Sequence, residues 1–321
     1  MQAMILAAGF GSRLKPLTSR VPKALVGCAG IRLVDCALDL VMKAGIRRVV
    51  INTHHLGEEL ERRLNHWKPS NMELIWSHEE EIRGTGGGLQ GARHHFDETV
   101  LVINADILID FDVAAMAYAH KASGALATMA LHPADEGEDL GVVRTDFEDR
   151  VRDIVGGVTK LEEGPGWDPK STGAPQLYSE KGSPHYFRGV HMLEPEFLAR
   201  IPDDEFSCII RETYIPEIHR GTHIHGHVIH GRWADAGTPE RLLAAHHLFW
   251  PEETDEPIIE QGAYVGLKTV LKGRTYVCAG ANIGHSCILD DCIVQPDAVV
   301  PPKTLLKGAI IHGKKGQHWT P

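Results

Sequence analysis

From residue 259 onward an aliphatic side chain returns at every sixth position: Ile259, Val265, Leu271, Val277, Ile283 and Leu289. After a step of four the series continues with Ile293, Val299, Leu305 and Ile311. A six-residue period matches neither the roughly 3.6-residue repeat of an amphipathic helix nor the roughly two-residue alternation of a long strand. It matches a parallel β-helix, in which each short strand turns one aliphatic residue inward and a tight corner follows. Small residues fall where corners need them: Gly266 and Gly284 just after, and Ala263, Ala281 and Cys287 two before, members of the series. The acidic, proline-flanked stretch PEETDEP precedes the repeat. It marks a division into 1–250, a linker at 251–257 and a repeat domain with its tail at 258–321.

Upstream, strand-like and helix-like patterns alternate. ILAA at 5–8 reads as a buried strand. Leu33, Val34, Ala37, Leu38, Val41 and Ala44 recur at helical spacing, Gly45 stops that helix, and VVIN at 49–52 follows as a strand. A second helix is expected over 57–67, a strand over 72–77 and one fully buried strand over 100–108. A helix capped by Asp112 follows, then a strand over 125–131. Such alternation predicts a doubly wound parallel sheet whose ligands sit beyond the carboxyl ends of the strands. The span 133–186 is rich in Gly, Pro and charge and reads as an elaborated lobe. Gly189–Met192 and 223–231 read as strands, 194–218 as short helices, and Thr238 with Pro239 as the start of a helix.

The first strand runs into LAAGFGSRLKPLTSRVPKAL. Gly9 and Gly11 allow a tight turn whose amides can approach an anion, and Arg13, Lys15, Arg20 and Lys23 crowd positive charge behind it. The whole chain carries a net charge of −10, which disfavours a nucleic acid or an anionic membrane as partner, so the local cations suit a small anion. No Gly-Lys-Ser/Thr follows, and Leu14 stands where a dinucleotide fingerprint needs its third glycine, so neither well-known phosphate loop is present.

Taken with EEEIRGTGGGL at 79–89, INADILIDFD at 103–112 and WADAGTPERL at 233–242, this opening resembles the ordered motifs of sugar-1-phosphate nucleotidylyltransferases (NDP-sugar pyrophosphorylases). The third of these motifs has Ala105 where the family usually carries glycine. EEEIRGTGGGL is most similar to the mannose-1-phosphate guanylyltransferase and N-acetylmuramate-1-phosphate uridylyltransferase branches. The resemblance implies an α/β fold, a Rossmann-like, GT-A-like mixed sheet flanked by helices, with the hexad tail as a short left-handed β-helix. It implies transfer of a nucleoside monophosphate from an NTP to a sugar 1-phosphate, with Mg²⁺ or Mn²⁺ as cofactor. By position it assigns Asp106 and Asp235 to the metal, Arg13 to the β and γ phosphates, and Lys23 to the α-phosphate or the incoming sugar phosphate. Leu6, Ala7, Ala8, Gly9, Gly11, Gly84, Thr85, Gly86 and Gly87 would enclose the nucleotide. Gly141, Lys160, Glu162, Arg188 and Gly189 would face the sugar, and Arg188 departs from the small residue usual there. The base and the sugar stay open.

Other features are read more plainly. Six cysteines without framework spacing are expected to be reduced thiols of a cytoplasmic protein, and no apolar run is long enough for a membrane span. Twenty histidines make the chain broadly His-rich, so His223, His225 and His227 are expected to form a solvated strand face rather than a metal site. Two other readings are a catalytically silent nucleotide-sugar binder and a tail acting as an acyltransferase through His285 or His312. The favoured role for the tail is packing on the catalytic lobe or pairing subunits into a homo-oligomer.

Overall fold

The computed structural model describes residues 1–67, 71–133, 142–155, 184–203 and 206–321. Its main sheet is built from β1 (Gln2–Leu6), β2 (Arg48–Thr53), β3 (Glu73–His78) and β4 (Val100–Asn104), which lie in the order β4-β1-β2-β3 and all run parallel. Strands β1, β2 and β4 are short apolar runs buried on both faces, whereas β3, at the edge, is only partly buried. The four are linked through helices α1 (Leu33–Lys43), α2 (Gly57–Trp67) and α3 (Gly84–Ala92).

Beyond β4 the sheet departs from the all-parallel order that strand–helix alternation predicts and takes the mixed form that the family resemblance implies. It continues through β9 (Pro184–Leu193), which runs antiparallel to β4. Strand β9 also pairs antiparallel with β6 (Ala127–Pro133) and with β7 (Val142–Thr145); β8 (Val151–Val155) lies against β7, and β10 (Ile224–Val228) pairs parallel with β6. The sheet is therefore mixed. Helix α4 (Val113–Ser123) starts as expected at Asp112, whose carboxylate accepts from the amides of Ala114 and Ala115.

The single strand expected over 100–108 is two. Strand β4 ends at Asn104, the chain turns at Ala105 and Asp106, and β5 (Ile107–Ile109) leaves to pair antiparallel with β11 (Trp233–Asp235) in a separate ribbon. Asn104 and Asp106 interrupt the apolar run at this turn, but the residues on both flanks are buried alike, so the hydrophobic pattern does not show that the chain leaves the sheet here. Helix α5 (Pro239–Leu248) follows β11, with the Thr238 hydroxyl accepting from the amide of Arg241.

The tail forms three short parallel ladders: 258–259 with 276–277, 293–294 and 310–311; 264–265 with 282–283 and 299–300; and 270–272 with 288–290 and 305–307. This is the parallel β-helix the hexads predict. Each corner column holds a left-handed residue: Gly262, Gly280 and Asp297 in one, Lys268, Ser286 and Lys303 in the next, Gly273, Asp291 and Gly308 in the third. Gly266 and Gly284 stack so closely that a Cβ on Gly266 would lie 2.5 Å from the Gly284 backbone.

The phase of the series after Leu289 differs from the sequence reading. Val294, Val300 and Leu306 join the tail core, while Leu305 is 67 % exposed. Register explains it: Val265 pairs with Ile283, eighteen residues on, but Ile283 pairs with Val300, only seventeen on. One corner residue is missing from the later turns. Ile293 instead faces the main lobe, where it joins Tyr276, Cys278 and Ile310 in the core shared with Leu25 and Cys28.

Candidate active site

Four parallel strands end at one cleft, lined by Leu6 at the end of β1 with Ala7, Ala8 and Gly9 after it, Asn52 in β2, Glu79 after β3, and Asn104 at the end of β4 with Ala105 and Asp106 after it; Lys23, Ala24, Ile82, Gly84 and Thr85 complete it. This is the carboxyl edge of the sheet, where diverging loops leave a crevice. The glycine turn behaves as its sequence suggests at one position: Gly11 has φ +61°, and a Cβ there would lie 2.8 Å from the Thr18 side chain. Its carbonyl accepts from the Thr18 hydroxyl and the Leu14 amide, which closes the loop on itself just outside the cleft lining.

Lys23 sits on a short 3-10 turn over Lys23–Leu25, entered from Pro22, and its ammonium lies 2.6 Å from an Asp106 carboxylate oxygen. Asp106 stands at the turn between β4 and β5. The β5–β11 pairing sets Asp235 opposite Ile107, and the Ala236 amide donates to the Asp106 carbonyl at 3.1 Å. Two aspartates far apart in sequence thus become neighbours, one at the end of β11 and the other in the turn just before β5. Asp235 is paired with Arg241, and a Cβ added to Gly237 would meet both the Arg13 guanidinium, at 2.6 Å, and the Asp235 carboxylate, at 2.7 Å. Arg13 therefore lies beside Asp235 and is exposed, as are Lys15 and Arg20.

Asp106 and Asp235 offer hard oxygen donors of the kind Mg²⁺ prefers. Among the described residues no three His, Cys, Asp or Glu side chains cluster as a closed metal cage. A divalent ion held here would complete its shell with phosphate and water oxygens, as an ion that works on a phosphate substrate does. Lys23 pairs with the Asp106 carboxylate and Arg241 with that of Asp235.

The GTGGG run opens helix α3, and its glycines divide. Gly84 and Thr85 line the cleft, whereas Gly86 and Gly87 are buried behind it with their amides donated to the Ser207 carbonyl at 2.8 and 3.2 Å. The Thr85 hydroxyl accepts from the Ile209 amide. Gly189, with φ +77°, brings its backbone against Asn104, and a Cβ there would lie 2.8 Å from the Asn104 amide nitrogen. Arg188 is 2 % exposed and stacks on the Trp233 ring at 4.0 Å, while the Trp233 indole donates to the Arg188 carbonyl. Gly141, Lys160 and Glu162 lie outside the described residues.

Sequence reasoning missed Asn52, Glu79 and Asn104. The Asn52 side-chain carbonyl accepts from the Ala7 amide at 2.7 Å, and its NH₂ donates to Glu79 at 2.7 Å. The other Glu79 oxygen accepts from the Arg83 amide. One buried amide thus ties the glycine turn to the loop that enters α3. A signal existed: each of the three sits at or just past the carboxyl end of a strand in the parallel group.

Elsewhere, His225 and His227 are part-buried beside Glu148 and Asp149, and burial holds both imidazoles below their ordinary pKa. All six cysteines are free thiols, and no helix among the described residues is long and apolar enough to cross a membrane.

A mixed sheet flanked by helices, with a cleft at its carboxyl edge where Lys23 pairs with Asp106 and Asp235 lies on the adjoining ribbon, defines an α/β enzyme fold. Residues 2–249 match the nucleotidyl transferase family, and the chain belongs to it. The chain is 27% identical over 305 residues to a mannose-1-phosphate guanylyltransferase of Mycobacterium tuberculosis, covering 92% of this chain and 79% of that protein. It is 24% identical over 333 residues to a UTP–glucose-1-phosphate uridylyltransferase of Synechocystis sp., covering 97% and 81%. Among solved structures, a putative glucose-1-phosphate thymidylyltransferase from Bacillus anthracis superposes with a TM-score of 0.62 at 20% identity, over 78% of this chain and 95% of that one. At that identity the likeness concerns the fold.

Proposed function

We propose that the protein transfers a nucleoside monophosphate from a nucleoside triphosphate to a sugar 1-phosphate, releasing pyrophosphate. The observation that carries this reading is the β5–β11 pairing, which brings Asp235 next to Asp106, itself part of the cleft lining together with Lys23. A sugar-phosphate oxygen attacks the α-phosphorus, the bond to the bridging β-phosphate oxygen breaks, and pyrophosphate departs with the electron pair. The nucleophile is already anionic, so the step needs charge neutralisation and in-line placement rather than a general base.

Lys23 supplies a point charge at the α-phosphate and the incoming phosphate; Arg13, with its planar fork, suits the departing phosphates. Asp106 and Asp235 would hold Mg²⁺ or Mn²⁺, which when bound neutralises charge on the phosphate oxygens. Ala7, Ala8 and Gly9 face the nucleotide from one side and Gly84 and Thr85 from the other. Asn104 and Gly189, with Arg188 behind them, form the acceptor side. Residues 1–250 carry this chemistry, and the tail braces them.

The names of the relatives make GTP with mannose 1-phosphate and UTP with glucose 1-phosphate the first pairs to test. Pyrophosphate release from a panel of triphosphates and sugar 1-phosphates, with Mg²⁺, is expected for at least one pair, and no nucleotidylated enzyme should form with triphosphate alone. A folded protein whose melting midpoint rises with nucleotide but which releases no pyrophosphate from any pair would instead be a silent binder.

A further inference from the structure

The tail meets the main lobe four residues beyond Lys23. Gln295 lies just past the tail strand 293–294 and is fully buried; its side-chain carbonyl accepts from the Gly27 amide at 2.8 Å and its NH₂ donates to the Gly27 carbonyl at 3.0 Å. One side chain thus satisfies both polar groups of a buried backbone residue, as a neighbouring strand would. No other residue type fits at 27: a Cβ there would lie 2.2 Å from the Cys278 sulfur and 2.9 Å from the Tyr276 ring.

From Gly27 back to Lys23 there is no slack. The Val26 amide donates to the Lys23 carbonyl at 3.1 Å, the Leu25 amide to the Pro22 carbonyl at 2.8 Å, and both Leu25 and Val26 are fully buried. Two residues further on, the Ala29 amide donates to His246 Nδ1 at 2.9 Å. His246 Nε2 donates in turn to the tail carbonyl of Arg274 at 2.6 Å. The short turn that aims the Lys23 ammonium at Asp106 is therefore clamped from behind by the β-helix.

We infer that Gln295 is a positioning residue for Lys23, so that the β-helix helps hold the phosphate-binding lysine in place. This rests on the reading of Lys23 as a phosphate ligand. A Gln295 that only glued the tail to the lobe would show the same hydrogen bonds, and a double-mutant cycle separates the two roles. The probe is inorganic tripolyphosphate with Mg²⁺, bound to the full chain and followed by calorimetry, because it needs no choice of base.

Lys23→Ala should weaken tripolyphosphate binding about tenfold and Gln295→Ala severalfold, with the double variant no weaker than Lys23→Ala alone. The Gln295→Ala fall in melting midpoint should be the same in both backgrounds. If Gln295→Ala leaves binding unchanged, or weakens it by the same factor with and without Lys23, the inference is overturned. If Lys23→Ala itself binds as the parent does, the assignment of Lys23 fails, a separate result. Should Gln295→Ala not fold, the cycle is run with Gln295→Glu. That variant keeps the size and the bond from the Gly27 amide and turns the donor facing the Gly27 carbonyl into a repelling oxygen.

Discussion

Asp106 and Asp235 illustrate how little of a site's chemistry resides in one residue. Asp106 is 37 % exposed at its side chain and ion-paired to Lys23, so its replacement disturbs the fold little. Asp106→Asn and Asp235→Asn are each expected to lower pyrophosphate release by about a thousandfold or more with a nearly unchanged melting midpoint. Full activity in both would remove them from the site. Asn52 makes a finer test, because its NH₂ faces Glu79 while its carbonyl faces the Ala7 amide. Asn52→Asp keeps the acceptor for Ala7 but sets two carboxylates in contact, which can coexist only by sharing a proton. Its KM for nucleotide should therefore rise at alkaline pH and recover on acidification, whereas the parent protein lacks that dependence; a pH series of KM decides it.

At the scale of elements, helix α3 is fixed by its glycines. Gly86 stands so close to the 206–214 segment that a Cβ would lie 2.6 Å from the Ser207 hydroxyl and 3.0 Å from its carbonyl. Gly86→Ala should cost about 1–3 kcal/mol by overpacking and raise the KM for nucleotide, since the displaced helix carries Gly84 and Thr85 into the cleft. Denaturant unfolding and steady-state kinetics check both halves. The elements themselves were largely legible: α2 spans 57–67 as its pattern predicts, and Asp112 and Thr238 cap the helices they precede. The β4–β5 break and the one-residue phase change of the tail were not. In both, buried apolar residues continue on either side, and only strand pairing tells which way each one points.

For the whole molecule, the joint between tail and main lobe is the feature with the largest consequence. His246 is fully buried in it and uses both ring nitrogens, and desolvation by burial lowers its pKa from 6.5 to about 4. Its unfolded form takes up a proton below about 6.5 and its folded form only below about 4. The stability it contributes is therefore complete above pH 6.5 and lost as pH falls from 6.5 to 4, by about 3 kcal/mol. His191, buried against the Tyr214 hydroxyl and lowered to about 3, acts in the same direction. The melting midpoint should fall over this range, and His246→Gln should start lower but fall less; an identical slope in both would remove His246 as the source.

What the sequence determined by itself was everything local and periodic: the hexads and their corners, the alternation of strand and helix, the glycine turn with its cations. Each of these follows from the spacing of side chains within a few turns of chain. What only the tertiary structure decided was which distant groups meet. Asp235 joins Asp106 because two short strands pair, Asn52 reaches Ala7 and Glu79 because three parallel strands end together, and Gln295 finds Gly27 because the tail folds back on the lobe. Such contacts depend on how the chain closes over long separations, and a hydrophobic pattern, which records only whether a residue is buried, does not say against what.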